Sequence, residues 1–325
     1  MKCSMRGVML ALLAISLAGC AARTTGPQPE AGPLVVNPHS PYAIAIGPDH
    51  NIWFTEYQGN SIDMMTPNGE VTRFPIAPDG IAERLTAGPD GAMWFTDPKG
   101  NRIGRIALDG KIKYVALPTA GCGPTGITFG ADGFIYFSEH AASRIGRMTT
   151  AGVLSEFTLR PKSGPAEITT GPDGAVYFIE DVSDRIGRIA KDGSIREFEI
   201  PTASSIPSAI AAGPDASIYF AELGAEKIGK LSIGDGSIEE YPIMPHGRPL
   251  GLAAGADGYL WVTIPDQHLI DRMTPSGYFG AYGGGQLKPS FIAAASDGFL
   301  YFSEPNARIG RINSNGDIVE FEVGN

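Results

Sequence analysis

A repeat of about 42 residues runs through this chain and limits its fold more than any other feature. One aromatic position recurs at spacings of 40 to 42 residues, followed by Phe in six of seven copies. The isoleucine of an Ile-Gly-Arg motif recurs in the same seven copies, although the Gly or the Arg is replaced in some of them. The aromatic positions are Trp53, Trp94, Tyr136, Tyr177, Tyr219, Trp261 and Tyr301, and the isoleucines are Ile62, Ile103, Ile145, Ile186, Ile228, Ile270 and Ile309. A period of this length is typical of solenoids and propellers.

Each copy contains the signals of four short strands. In the fourth copy, 166–170 is a small apolar run, the turn Gly-Pro-Asp-Gly follows, and 176–180 is aromatic and β-branched. Residues 185–190 form a third strand, and Asp192-Gly193 marks a tight hairpin into 194–200. Open β-solenoids have shorter periods or helical segments. The sequence therefore predicts an all-β fold, a seven-bladed β-propeller with four-stranded antiparallel blades of about 42 residues.

Composition agrees with a turn-rich β protein and excludes several functions. The chain has 43 Gly and 26 Pro beside 43% hydrophobic residues, which indicates many turns around a normal core. Its net charge of −10 argues against a nucleic acid partner, because phosphate binding needs a basic surface. No apolar run is long enough to span a membrane. The glycines lie in hairpins without a following helix, so no phosphate-binding loop is expected.

The first forty residues predict export. Lys2 and Arg6 precede an apolar stretch at 7–17, and Leu17-Ala18-Gly19-Cys20 resembles the bacterial lipobox. We therefore expect 1–19 to be a lipoprotein signal peptide and Cys20 to carry the lipid. Residues 20–40, rich in Pro and Gly, are expected to be a flexible tether. The resulting expectation is a protein anchored to a bacterial membrane by lipid alone, in the outer membrane and facing the periplasm.

Cysteine usage follows from this prediction. Of three cysteines, Cys3 leaves with the signal and Cys20 is lipidated, so that Cys122 is alone in the folded part. One thiol can form neither an internal disulfide nor a metal site of several thiolates. Cys122 is expected to be a packed loop residue.

The repeat resembles the streptogramin B lyase (virginiamycin B lyase) family. Its consensus of Ile-Thr-x-Gly-Pro-Asp-Gly, Trp-Phe-Thr-Glu and Asn-x-Ile-Gly-Arg-Ile is nearly intact at 86–97 with 101–106. The resemblance covers 41–325 and implies a seven-bladed propeller. We place its blades at about 41–80, 81–121, 122–163, 164–205, 206–247, 248–287 and 288–325. It also implies metal-assisted elimination that opens a cyclic depsipeptide antibiotic at an ester.

The residues that the resemblance implies for this reaction are mostly not matched. In the family, a His begins the innermost strand in each of the last two blades; the corresponding residues here are Leu250 and Ser290. The family also has a Glu two residues before the second His, and Lys288 occupies that position here. The one matched position is a Glu at the end of the second strand of the last blade, which is Glu304 in this chain. Enzyme activity therefore stays open. Mg²⁺ is expected as a cofactor only if the chain is a lyase.

A carboxylate ends the second strand in six repeats. The set is Glu56, Asp97, Glu139, Glu180, Glu222 and Glu304, with Ile264 as the exception. Because strand ends of successive blades converge, these groups would ring one face, the mouth of the propeller. They could hold a cation or a basic ligand, with Glu304 and Glu56 as candidate metal ligands. Alternatively, each accepts hydrogen bonds and joins neighbouring segments. The cations of the Ile-Gly-Arg motif repeat in the same way and are expected to be structural.

Function should lie where the repeat is broken. The candidate ligand-binding residues at the mouth are Tyr42, Glu83, Arg84, His140 and Arg248. Blade 6 departs most from the consensus, and the mouth-side loops also hold His39, His246 and His268, of which His246 and His268 are candidates for a relocated base.

Two hypotheses follow from these departures. The first is a monomeric propeller that binds a small molecule, peptide or protein at its mouth without catalysis. The second is a divergent C–O lyase. Because 317–323 predicts a fourth strand in the last repeat, Leu34–Val36 is not expected to close the ring.

Overall fold

Seven four-stranded antiparallel sheets form a ring in the computed structural model, which describes residues 40–244 and 246–324. The prediction of a seven-bladed β-propeller is thereby confirmed. The first four blades contain β1 Pro41–Ile46, β2 Ile52–Glu56, β3 Ser61–Met65, β4 Val71–Pro75; β5 Leu85–Ala87, β6 Met93–Asp97, β7 Arg102–Ile106, β8 Ile112–Ala116; β9 Pro124–Phe129, β10 Ile135–Glu139, β11 Arg144–Met148, β12 Leu154–Thr158; and β13 Pro165–Thr170, β14 Val176–Glu180, β15 Arg185–Ile189, β16 Ile195–Glu199.

The last three blades contain β17 Pro207–Ala212, β18 Ile218–Glu222, β19 Lys227–Leu231, β20 Ile238–Pro242; β21 Leu252–Ala254, β22 Leu260–Ile264, β23 Leu269–Met273, β24 Phe279–Gly283; and β25 Ile292–Ala294, β26 Leu300–Glu304, β27 Arg308–Ile312, β28 Ile318–Glu322. Two short 3-10 helices, His140–Ala142 and Pro265–Gln267, follow second strands. No helix of the described residues is long and apolar enough to cross a membrane.

The repeated aromatic residue forms the core of each blade together with an aspartate four residues earlier. All seven aromatics are buried, and each donates from its ring N–H or O–H to that aspartate. In blade 4, for example, Tyr177 Oη lies 3.0 Å from Asp173 Oδ2, and Arg188 Nη2 lies 2.7 Å from the same oxygen. In blades 2, 4, 5 and 6 the Asp of the turn thus pairs with both a buried polar tip and the cation of the Ile-Gly-Arg motif. These cations have the structural role that their repetition suggests.

The glycine of the third strand makes room for the second-strand Phe. A Cβ added to Gly146 would lie 2.1 Å from Phe137 Cζ, far inside van der Waals contact. Blades 1 and 6 carry Asp63 and Asp271 at this position. In blade 6 the facing residue is Val262, which leaves space for the aspartate, whereas Phe54 remains in blade 1.

Blades 7 and 1 meet through packing and hydrogen bonds. Ser303 Oγ donates to Tyr42 O at 2.6 Å, and Ile44, Tyr301 and Val323 share one apolar cluster. The four strands of blade 7 come from one continuous segment, 292–322. The prediction about Leu34–Val36 lies outside the described residues.

Cys122 is buried at the entrance to blade 3. Its Sγ lies 3.3 Å from Asn101 Oδ1, and burial raises the pKa of the thiol to about 12. Such a thiol is inert near neutral pH, in agreement with the expected packing role. Cys20 and the signal segment lie outside the part of the chain that the structure describes.

Candidate functional site

The mouth is the face where first strands begin and second strands end. Strand register defines it: Pro41 pairs with Glu56, Glu56 with Ser61, and Ser61 with Pro75. Residues at the start of a first strand and directly after a second strand therefore lie on the same face in every blade. The hairpins between third and fourth strands lie on the opposite face.

The second-strand carboxylates are fully buried within the blades. Three of them accept backbone N–H groups from the segment that leads into the first strand of the same blade. Ile81 N donates to Asp97 Oδ1 at 2.9 Å, and Lys288 N donates to Glu304 Oε1 at 3.1 Å. Ser40 N donates to Glu56 in the same way. These contacts support the structural interpretation for Glu56, Asp97 and Glu304, because each fixes an inter-blade segment.

A second carboxylate lies beside most of these groups. Glu139 is next to Glu156, and Glu222 is next to Glu240. Burial, and then the like charge, raises the pKa of Glu139 to about 7 and that of Glu222 to about 8. The other carboxylate of each pair, Glu156 or Glu240, forms an ion pair with a cation. Arg144 Nη1 lies 2.6 Å from Glu156 Oε2, and Lys227 Nζ lies 2.8 Å from Glu240 Oε2. In each pair, the second-strand glutamate is therefore the carboxyl whose pKa is raised to neutral pH or above.

The donor set of the described residues does not fit a divalent cation. No group of three or more His, Cys, Asp or Glu side chains is arranged to hold a metal ion there. Glu56 and Glu304, the candidate metal ligands, each use one oxygen for a backbone N–H. Burial is the main reason that the pKa of Glu56 rises to about 8 and that of Glu304 to about 7.

Arg84 lies at the centre of the mouth between residues of four blades. Its guanidinium carbon is 4.5 Å from the centroid of the Tyr42 ring and 4.2 Å from that of Phe291. Its Nε forms an ion pair with Glu167 of blade 4. Burial opposes the charge, but Glu167, Tyr42 and Glu83 outweigh it and raise the pKa of Arg84. The side chain is a fixed cation held by two aromatic faces.

A cavity of about 130 Å³ lies at the centre of the ring, and Arg84 and Glu167 are among its lining residues. Its walls are aliphatic side chains of first strands, including Leu85, Ile210 and Ile292. Arg84 Nη1 is buried and has no hydrogen-bond partner among the described residues. The cavity therefore combines aliphatic side chains with one unused donor and one carboxylate.

Glu83 is half-buried beside this arginine. Its carboxyl accepts no hydrogen bond from the described residues. Burial raises the pKa of Glu83; Arg84 and His140 oppose this effect, and Glu167 adds to it. The same carboxyl helps to raise the pKa of Tyr57, after burial of that ring. Glu83 is thus an acceptor available at the mouth.

His140 and Asp181 form the third part of this cluster. His140 Nε2 lies 3.0 Å from Asp181 Oδ1 and 3.2 Å from Oδ2, and both residues directly follow second strands. The hydrogen bond to Asp181, reinforced by the charges of Asp181 and Glu83, raises the pKa of His140. This pair fixes the imidazole ring and leaves Nδ1 for other partners.

The structure brings together four of the five predicted mouth residues, Tyr42, Glu83, Arg84 and His140. Arg248 lies elsewhere, where its N donates to Asp266 Oδ1 at 3.1 Å and its Nε to Leu223 O at 3.4 Å. This places it between blades 5 and 6.

The two candidate bases have structural contacts of their own. His246 has a side chain that is 86% exposed, and its Nδ1 is 3.1 Å from Glu226 Oε2. His268 Nδ1 is 2.7 Å from Leu287 O. His39 lies outside the described residues.

Sequence reasoning missed Glu167, Asp181, Phe291 and Tyr57. One sequence signal could have found Glu167 and Phe291, because the second position of the first-strand motif is small in four repeats and is Arg84, Glu167 or Phe291 in the others. The four small residues are Ala43, Gly126, Ala209 and Gly251. Only the ring geometry shows that these three larger side chains meet.

The positions that correspond to the family histidines have backbone roles here. Leu250 N donates to Thr263 O at 3.0 Å, and Ser290 N donates to Ser303 O at 2.8 Å. Neither side chain can take a proton from carbon at neutral pH.

Comparison with known proteins agrees with this architecture. A model of the virginiamycin B lyase family matches residues 30–249. A virginiamycin B lyase from Nocardia farcinica is 34% identical over 88 residues, which are 27% of this chain and 31% of that protein. The chain therefore spans about a third of that relative's length.

Solved structures match over most of the ring. A streptogramin B lyase structure is 32% identical, with a TM-score of 0.80, covering 86% of this chain and 94% of that one. A catalytically inactive virginiamycin B lyase from Staphylococcus aureus with quinupristin is 34% identical, with a TM-score of 0.80, covering 86% and 96%. A hydrazine synthase from Kuenenia stuttgartiensis, at 15% identity, shares the fold alone.

Proposed function

Because this chain belongs to the virginiamycin B lyase family, we propose that it binds a ligand at the propeller mouth and lacks the lyase reaction. The observation that carries this proposal is the gathering of Tyr42, Glu83, Arg84 and His140 around one point. They come from blades 1, 2 and 3, and each breaks the repeat. Repeat-breaking polar residues that meet in a concave surface are typical of a binding site.

The absence of the lyase step is supported by the residues at the corresponding positions. Leu250, Ser290 and Lys288 occupy three of the four positions that family resemblance makes functional, and Glu304 is buried with a raised pKa. The reaction needs a base for an α-proton and a cation for the developing charge. The residues at these positions offer no histidine as a base, and the described residues contain no group of three or more His, Cys, Asp or Glu side chains that could hold a metal ion.

Quinupristin with Mg²⁺ provides the test. We expect the full chain to bind quinupristin saturably by calorimetry, while mass spectrometry shows that its ring stays closed. Arg84→Ala should weaken binding about ten-fold or more, since it removes a buried cationic donor. The exposed Glu70→Gln, in a hairpin on the opposite face, is the control. Ring opening, or binding that Arg84→Ala leaves unchanged, would overturn the proposal.

A divergent lyase with a relocated base is the second candidate function. The observation in its favour is the His140–Asp181 pair, because a carboxylate-oriented imidazole is a common general base. His246 and His268 have no comparable partner at the centre of the mouth. If ring opening occurs and is lost in His140→Ala but not in His246→Ala or His268→Ala, this candidate replaces the first.

We also propose that the protein is an exported lipoprotein anchored through Cys20. Support comes from the charged start, the apolar stretch 7–17 and the Leu-Ala-Gly-Cys sequence. Labelled palmitate fed to the expressing bacterium should enter the wild-type chain and not the Cys20→Ser variant. Equal labelling of the two chains, or none in either, would contradict this assignment.

A further inference from the structure

The cluster at the mouth presents one donor and one acceptor that the described residues leave unused. The donor is Arg84 Nη1, which is buried without a partner. The acceptor is the carboxyl of Glu83. The two belong to consecutive residues that lead into the first strand of blade 2.

Glu83 is the carboxyl of this cluster that forms no ion pair among the described residues. Arg84 is paired with Glu167, and His140 with Asp181. Glu83 shares the positive charges of Arg84 and His140 with those partners, and burial disfavours its ionised form. A ligand that brings one positive charge would complete the pairing.

The surroundings of Glu83 suit a cation. Tyr57 lies beside it, half-buried, and its ring centroid is 5.4 Å from that of Tyr42. Tyr42 already contributes its face to Arg84, as does Phe291. The Tyr57 ring offers an equivalent aromatic surface for a second cation next to Glu83.

We propose that this mouth binds the free amino terminus of a peptide. The terminal ammonium would pair with Glu83, and the first carbonyl oxygen would accept from Arg84 Nη1. An ammonium and a carbonyl on one residue match an acceptor and a donor on consecutive residues. The apolar walls at Leu85 and Ile292 then accommodate an aliphatic first side chain. The inference rests on the proposed function and adds the class of ligand.

Leucyl-alaninamide and N-acetyl-leucyl-alaninamide are a matched pair of probes. At pH 7 the α-amino group of the first is largely protonated, whereas the acetylated peptide has no charge. Calorimetry on the full chain should show the free peptide binding at least about ten-fold more tightly, the usual effect of one charged hydrogen bond. Glu83→Gln, which has the same shape, should abolish this difference.

Two further variants separate binding from folding. Glu70→Gln removes the same charge on the opposite face and should leave the affinity ratio unchanged. Arg84→Lys keeps the positive charge but loses the planar donor pair, so that both peptides should bind more weakly. Thermal unfolding of each variant checks that it is folded.

The outcomes distinguish this inference from the proposed function. Equal affinity of the two peptides, no binding of either, or a ratio that Glu83→Gln leaves intact would overturn the inference. If quinupristin still binds in an Arg84-dependent way, ligand binding at the mouth stands without it. If neither the peptides nor quinupristin bind, both proposals fail.

Discussion

Arg84 of the second blade and Glu167 of the fourth form an ion pair across the centre of the ring. Their side chains are only 13% and 21% exposed. The pair connects two blades that are not neighbours, and both side chains line the central cavity.

Removing one partner of this pair should destabilise the protein. We expect Glu167→Ala to lower the free energy of unfolding by about 3 kcal/mol, because it removes the ion-pair partner of a buried guanidinium. The double variant Arg84→Met with Glu167→Met should lie within about 1 kcal/mol of wild type, since it buries no unpaired charge. Denaturant unfolding of all three chains measures these differences. A double variant that loses as much stability as Glu167→Ala, or more, would contradict the idea that the two charges act as a pair.

Asp271 should lower stability at neutral pH. Its Oδ1 is buried without a partner, and burial raises the pKa to about 6. A folded-state pKa above that of the unfolded chain favours folding only while the group is protonated. The free energy of unfolding therefore falls as pH rises from about 4 to 6. Above that range, this carboxyl lowers it by about 3 kcal/mol.

The double change Val262→Phe with Asp271→Gly restores the pair found in blades 2, 3, 4, 5 and 7. We expect about 2 kcal/mol of added stability at pH 7, after the cost of glycine in a strand. Near pH 4 the gain should disappear, because wild-type Asp271 is then protonated in the folded state. Urea unfolding at both pH values measures it. A gain that is equal at the two pH values would point to packing rather than charge.

The buried glutamates should make the protein less stable as pH rises. The pKa of Glu222 is raised to about 8 by burial and by Glu240. Folding thus becomes less favourable between about pH 4.5 and 8, by up to about 1.4 kcal/mol per pH unit for this one group. Glu222→Gln should flatten the profile in that window, because the amide never ionises and can donate to Glu240. Unfolding midpoints from pH 5 to 9 test this, with Glu70→Gln expected to follow wild type.

Ile206 is a strained residue on the mouth side of blade 5. Its φ is 48°, which is unfavourable for a β-branched residue, and its side chain is 49% exposed. Asp184 holds this segment through Ser204 N at 2.8 Å, Ser205 Oγ at 3.0 Å and Ile206 N at 3.3 Å. Ile206→Gly should stabilise the protein by about 1 kcal/mol, since it releases strain and exposes little.

Ile195 provides the matched control for this substitution. It is 37% exposed in β16 and is absent from the positive-φ residues. Ile195→Gly should therefore destabilise the protein by about 1 kcal/mol, because glycine weakens a strand interior. A loss of stability in both variants would show that Ile206 contributes more by packing than it costs in strain.

The sequence by itself determined the architecture of this protein. The spacing of Trp53, Trp94 and their equivalents, with a turn signal before each hairpin, is sufficient for seven four-stranded blades because every strand pairs with its sequence neighbour. Because this pairing is local, contacts between distant residues contribute little to the choice of fold. For the same reason, the departures at Tyr42, Glu83, Arg84 and His140 could be recognised as candidates from the repeat alone.

Only the tertiary structure decided which of these candidates meet. Glu167 is 83 residues from Arg84 and Phe291 is 207 residues from it, yet all three line one cavity. Closure of the ring brings them together, and no local pattern carries that information. Burial also distinguishes two kinds of glutamate: Glu222 is fully buried inside a blade beside Glu240, whereas Glu83 is half-buried at the mouth. Whether a charge is paired depends on what the fold places around it, and that is set by contacts across the ring.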